Sequence, residues 1–161
     1  MKTVLFSPEV SHIHGVPLIK SRIGIKEKSL AFNEKTNFWK IITKYKEIKS
    51  IDCVFIDEAQ FLKKNQVLQL SDIVDFLNIP TLAYGLRSDF RGEPFEGSKY
   101  LLTWADKLIE VKTICHCGKK ASYALRVNKN NEIIKKGKQI EIGGNEIYIS
   151  VCRKHFKTNK V

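Results

Sequence analysis

Hydrophobic and polar positions alternate along this chain between two periods. Thr3-Val4-Leu5-Phe6 is a short β-branched and aromatic run closed by Ser7-Pro8, which predicts a first strand. From about Thr36 to Lys49, Phe38, Trp39, Ile41, Ile42, Tyr45 and Ile48 recur at helical spacing while lysines fill the other face. Cys53-Val54-Phe55-Ile56 is then continuously apolar and has the length of a strand buried on both faces, as in a parallel sheet covered by helices. Val67, Leu68, Leu70, Ile73, Val74, Phe76 and Leu77 mark a second amphipathic helix that ends at Asn78, with Pro80 as its stop. Thr81-Leu82-Ala83-Tyr84, closed by Gly85, predicts another short strand. Strand, helix, strand, helix, strand is the order of a parallel α/β sheet with right-handed crossovers. A short helix over 98–104 and a strand over Lys107 to Val111 come next.

Two stretches lack a period. Glu9 to Leu30, with Gly15, Pro17 and Gly24, reads as a long irregular connection, and its His12 and His14 read as loop histidines. Leu86 to Gly97 is a polar loop with a hydrophobic beat. After Val111 the composition changes to short strands and turns, with strands over Ser122 to Val127 and Asn145 to Val151. Asn128-Lys129-Asn130-Asn131 and Gly143-Gly144-Asn145 supply turns.

A chain of 161 residues suits one domain with a small appendage and is long enough to bury a core. It carries no apolar run of membrane-spanning length and no basic, apolar leader, so the expected location is cytoplasmic. The net charge of +11 suits an anionic small molecule, but the lysines are spread along the whole chain, so a solvated face is expected rather than a nucleic-acid interface. Four cysteines in a reducing compartment favour metal or core roles over disulfides.

Candidate chemistry gathers at three places. Asp57 and Glu58 directly follow the buried strand, at the carboxyl end where open α/β sheets bind ligands. Such a pair either caps the next helix or holds Mg²⁺ and accepts a proton in phosphoryl transfer. On the loop, Arg87, Arg91, Phe90 and Phe95 can grip phosphate and stack on a base, or the two phenylalanines can simply pin the loop to a core. Cys115, Cys117, Cys152 and His155 form two close pairs, each beside a turn, in a region too glycine-rich to build its own core, which suits a closed structural zinc site. His116 is expected to point outward, and Cys53 to be a small core residue.

The segments 57–61 (Asp-Glu-Ala-Gln-Phe), 84–95 from Tyr84 to Phe95, 115–118 (Cys-His-Cys-Gly) and 143–155 from Gly143 to His155 closely resemble the zinc-containing, bacterial-type thymidine kinases, and the similarity spans nearly the whole chain. The resemblance implies a parallel P-loop-kinase-like α/β domain over 1–113 and a small zinc-stapled lasso domain over 114–161. It implies ATP-dependent phosphorylation of the thymidine 5′-hydroxyl in nucleotide salvage, in a homotetramer. Glu58 resembles the general base and Asp57 the acid that organises Mg²⁺, with Ala59 and Gln60 beside them at the ATP and Mg²⁺ site. Phe61, Leu86, Phe90, Phe95 and Tyr148 resemble the wall around the base. Gln139, Ile140, Glu141, Ile142 and Gly143 resemble the lasso stretch whose backbone reads the thymine edge.

The phosphate half departs from that family pattern. No Gly-x-x-x-x-Gly-Lys-Ser/Thr occurs, although the family carries it before the strand that opens this chain. Ser11-His12-Ile13 stands where the family usually has Asp-x-Arg. The expectation is therefore a thymidine kinase whose 161 residues alone are nearly inactive, lacking the first strand and phosphate loop. The alternative is a non-catalytic zinc-bearing remnant that binds thymidine nucleotides or nucleic acid.

Overall fold

A four-stranded, all-parallel sheet carries the first part of the chain, seen in a computed structural model that describes residues 1–12, 16–21, 23–139 and 147–160. The chain forms β1 (Thr3–Pro8), a 3-10 turn (Glu9–Ser11), the hairpin β2 (Leu18–Lys20) and β3 (Lys26–Lys28), and β4 (Leu30–Phe32). It continues through α1 (Phe38–Ile48), β5 (Cys53–Ile56), a 3-10 turn (Ala59–Phe61), α2 (Lys64–Leu77), β6 (Thr81–Ala83) and α3 (Glu96–Trp104). The sheet order is β4-β1-β5-β6. In register, Val4 faces Val54 and Phe6 faces Ile56, while Val54 faces Thr81.

The core explains why these elements form. Phe6, Phe32, Phe38, Ile42, Val54, Ile56, Val67, Leu70 and Ile73 are buried together. Phe38, the first residue of α1, meets Phe6 edge-on at 4.9 Å between ring centroids and Phe32 at 5.6 Å. Each such side chain contributes about 1.5–3 kcal/mol by leaving water. Asn37 caps α1 by accepting from Lys40 N at 2.8 Å. Asn78 ends α2 in the left-handed region, φ 54°. Buried Gln66 ties α2 to the segment before α1: its Oε1 accepts from Lys63 N, and its Nε2 donates to the carbonyls of Asn33 (2.7 Å) and Thr36 (3.0 Å). A polar group this deep is tolerated only because all these bonds are made.

Three expectations are corrected. Residues 9–30 are not simply irregular, because β2 and β3 pair antiparallel within them. β4 is a further parallel strand on β1, too short for its alternation to be legible. Residues 107–112 form no strand: Leu108, Ile109 and Val111 are 59%, 76% and 79% exposed. A β-rich run becomes a strand only where an edge offers it hydrogen bonds, and no strand among the described residues pairs with this one. Likewise the outer edge of β6 is unpaired among the described residues, leaving Leu82 and Tyr84 exposed.

The rest of the chain is antiparallel. β7 (Thr113–Ile114) and β8 (Lys120–Ala121) make a two-stranded ribbon. β9 (Tyr123–Val127), β10 (Ile133–Ile134) and β11 (Ile147–Val151) make a three-stranded sheet ordered β10-β9-β11, and α4 (Arg153–Thr158) closes the chain. Here the core is small: Cys115, Leu125, Val151 and Cys152, with Tyr123 stacked on Phe156 at 4.6 Å. The chain divides into two compact units, 1–87 with 95–106, and 88–94 with 107–161. No helix among the described residues is long and apolar enough to cross a membrane.

Candidate functional site

In the first unit, β5 ends at Ile56 and the next backbone amide, Asp57 N, donates to Phe6 O of β1 at 2.9 Å. The chain then turns sharply. Glu58 lies in the left-handed region (φ 50°, ψ 42°), which costs a non-glycine residue about 1–2 kcal/mol. The next two residues hold that strain: Ala59 N donates to Tyr84 O at 2.7 Å, and Ala59 and Gln60 are buried in the 3-10 turn. Backbone strain of this kind clusters at functional sites, and the carboxyl end of a parallel strand is where open α/β sheets bind ligands. Its result is a half-buried Glu58 carboxylate beside half-buried Asp57.

Gln60 fixes that carboxylate. Its Nε2 donates to Glu58 Oε2, and its Oε1 accepts from Leu86 N at 3.1 Å, so one buried amide links the acid to the loop after β6. Two glycines make room for this turn. A Cβ on Gly85 would stand 2.6 Å from Gln60 Oε1, and one on Gly97 would stand 2.5 Å from Ala59 O. Ser98 Oγ donates to Leu86 O at 2.5 Å, closing the loop onto α3. Phe61 meets Phe95 edge-on at 6.0 Å; Phe95 is buried, Phe61 half-buried and Leu86 exposed.

In the second unit, Phe90 is buried under two guanidinium groups, Arg126 at 4.9 Å and Arg91 at 5.8 Å from its ring centroid. Asp89 is buried beside it and accepts from the amides of Arg91 (2.9 Å) and Glu93 (3.0 Å), from Arg91 Nε (2.8 Å) and from Gln139 Nε2 (3.2 Å). Burial pushes the Asp89 carboxyl upward, but the bonds from Arg91 and Glu93 outweigh it and hold the group below its ordinary range. Tyr148 is exposed on β11. Ile140, Glu141, Ile142 and Gly143 lie outside the described residues.

The same unit brings Cys115, Cys117, Cys152 and His155 together, with all four ligand atoms within 4.8 Å of one another. A tetrahedral zinc with bonds of about 2.3 Å to sulfur and 2.0 Å to nitrogen sets ligand separations of roughly 3.5–3.8 Å. Cys117 Sγ lies 3.8 Å from Cys152 Sγ, and Cys115 Sγ lies 3.2 Å from His155 Nδ1, so the donor set fits. Burial raises the Cys115 thiol, yet amide donors from Cys117 and Cys152 and the His155 ring bring it down to about 5. For Cys117 the Lys119 amide favours the thiolate, but burial and the neighbouring Cys115 and Cys152 sulfurs push it up. Crowded sulfurs that resist a second negative charge are what a dication relieves. His116 is exposed, and its ring stacks on His155 at 4.3 Å. Cys53 is buried in β5, where burial raises its thiol.

The family model for thymidine kinase matches residues 1–156. The chain belongs to the thymidine kinase family. It is 52% identical over 157 residues to the thymidine kinase of Mannheimia succiniciproducens, covering 98% of this chain and 80% of that protein. The same identity relates it to the thymidine kinases of Aliivibrio fischeri, of which 82% is covered, and Rhodopirellula baltica, of which 74% is covered. As a thymidine kinase the protein is an enzyme, a transferase acting on thymidine. Sequence reasoning overlooked two of its structural residues, Asp89 and Arg126. The signal was present as an Asp-x-Arg and a lone arginine in an apolar strand, but their burial depends on contacts far apart in the chain.

Proposed function

We propose that this thymidine kinase transfers the γ-phosphoryl of ATP to the 5′-hydroxyl of thymidine, with Glu58 accepting the hydroxyl proton. The observation that carries this is the strained Glu58 at the end of β5, its carboxylate held by buried Gln60. A base locked in one rotamer loses little freedom when it meets the hydroxyl. Asp57, on the same strand end, is the residue to hold Mg²⁺, and Ala59 and Gln60 shape the backbone beside it. Mg²⁺, when bound, neutralises charge developing on the transferred phosphoryl. Phe61, Leu86, Phe90, Phe95 and Tyr148 are the side chains to contact the base, and 139–143 the stretch to read its edge. Cys115, Cys117, Cys152 and His155 hold a zinc that staples the second unit and takes no part in the chemistry. The protein acts in the cytoplasm as a homotetramer.

The 161 residues contain no Gly-x-x-x-x-Gly-Lys-Ser/Thr to cradle the donor phosphates. Each such transition-state donor is worth roughly 3–4 kcal/mol, so turnover by these residues alone is expected to be slow. Two measurements test the proposal. Calorimetry should give thymidine binding that is insensitive to salt, while any binding to a DNA oligomer should collapse as salt rises. ATP-dependent thymidine phosphorylation should fall about 10²–10⁴-fold in Glu58→Gln, with thymidine affinity kept. Absent thymidine binding, or an unchanged rate in Glu58→Gln, would overturn the reading.

A further inference from the structure

Arg126 is only 1% exposed, although it lies in the middle strand of a small sheet. Burying a guanidinium is costly, and a well-packed apolar side chain of similar volume commonly serves stability as well or better. Its surroundings show what the arginine does instead. The guanidinium sits 4.9 Å from the ring centroid of Phe90, which is 4% exposed, and Nη1 donates to Lys138 O at 3.4 Å. In register Arg126 stands directly opposite Tyr148 on β11, so the two side chains share a face of the sheet. Asp89, 3% exposed, completes the arrangement by accepting from Gln139 Nε2 at 3.2 Å. The Phe90 ring, the Lys138 carbonyl and the register position of Tyr148 therefore meet at Arg126, while Asp89, paired with Arg91, holds Gln139 beside them.

We propose that Arg126 is a positioning residue for thymidine, setting Phe90, Gln139 and Tyr148 in a common arrangement before the base arrives. The inference rests on the thymidine reading above and adds to it the residue that organises the base side chains within this unit. Phe90 is fixed by a cation over its ring. Gln139, the neighbour of residues 140–143, is held through its side-chain amide by Asp89. Arranging these groups in advance removes ordering that ligand binding must otherwise supply.

The test is thymidine calorimetry on the zinc-loaded chain, with zinc content and thermal unfolding measured on every variant. Arg126→Met keeps the volume and removes the fork of donors, and thymidine Kd should rise at least tenfold. Arg126→Lys keeps the charge over Phe90 and should recover part of that loss. Phe90→Leu should weaken binding, and Phe90→Leu with Arg126→Met together should cost no more than the worse single change, because both act through one arrangement. Arg126→Met binding thymidine within twofold of the parent, or losses that simply add, would overturn the proposal. Should Arg126→Met lose its zinc and fold, Arg126→Lys decides instead: it keeps the charge over Phe90 and removes the fork of donors. Weakened thymidine binding by that variant supports the proposal, and unchanged binding refutes it. A parent chain that binds no thymidine removes the functional reading itself, which is distinct from a parent that binds while Arg126→Met binds equally well.

Discussion

Gly97→Ala sets two known effects against each other inside one helix. Gly97 is the second residue of α3, and replacing an interior helical glycine by alanine ordinarily gains about 1 kcal/mol. Here the new Cβ would stand 2.5 Å from Ala59 O and 2.9 Å from both Gln60 O and Leu62 O. Real Cβ atoms essentially never come within 3.0 Å of such neighbours, so α3 or the turn must retreat by about 0.5 Å. All three oxygens are backbone and cannot rotate away, and Ala59 O also accepts from Leu62 N at 3.1 Å. Overpacking of this kind costs about 1–3 kcal/mol, and three backbone contacts place it at the upper end. The net expectation is a loss of about 2 kcal/mol. Urea unfolding followed by tryptophan fluorescence reads it cleanly, because Trp39 and Trp104 are the only tryptophans and both lie in the first unit. A variant as stable as the parent, or more stable by the helix-propensity gain, would show that the turn after Glu58 is not held against α3 as argued.

Two further predictions concern the metal cluster. Cys152→Ser should lower bound zinc from about one per chain to near zero and melt the β9–β11 sheet, read by metal analysis and circular dichroism, because the core around Leu125 and Val151 is too small to stand alone. Acid should release zinc, followed with a chromogenic chelator, since protons compete for the same thiolates; release unchanged between about pH 8 and pH 5 would refute a thiolate site.

The features legible in the chain were local ones. Apolar spacing placed α1 and α2 within two or three residues of their ends, because a helix buries one face at a period set by its own geometry. The continuous run Cys53 to Ile56 was legible as a fully buried strand, and the adjacent acids as its carboxyl end. Two close pairs of Cys and His ligands announced the metal cluster before any geometry was known, since few other arrangements suit thiols at that spacing. Phe90 and Phe95 read equally well as base-stacking groups or as anchors, and both are buried.

Contacts between distant segments set the rest. Lys107 to Val111 has the composition of a strand but pairs with no strand among the described residues, and pairing is a property of neighbours rather than of the run itself. Glu58 enters the left-handed region because Tyr84 and Gln60 hold it there, a constraint supplied from β6 and the turn after β5. The buried Arg126 draws its meaning from Phe90, on a loop far back in the chain, and Gln139 draws its own from Asp89. A local pattern records which faces a segment must bury, while these positions depend on which distant segment arrives to meet them.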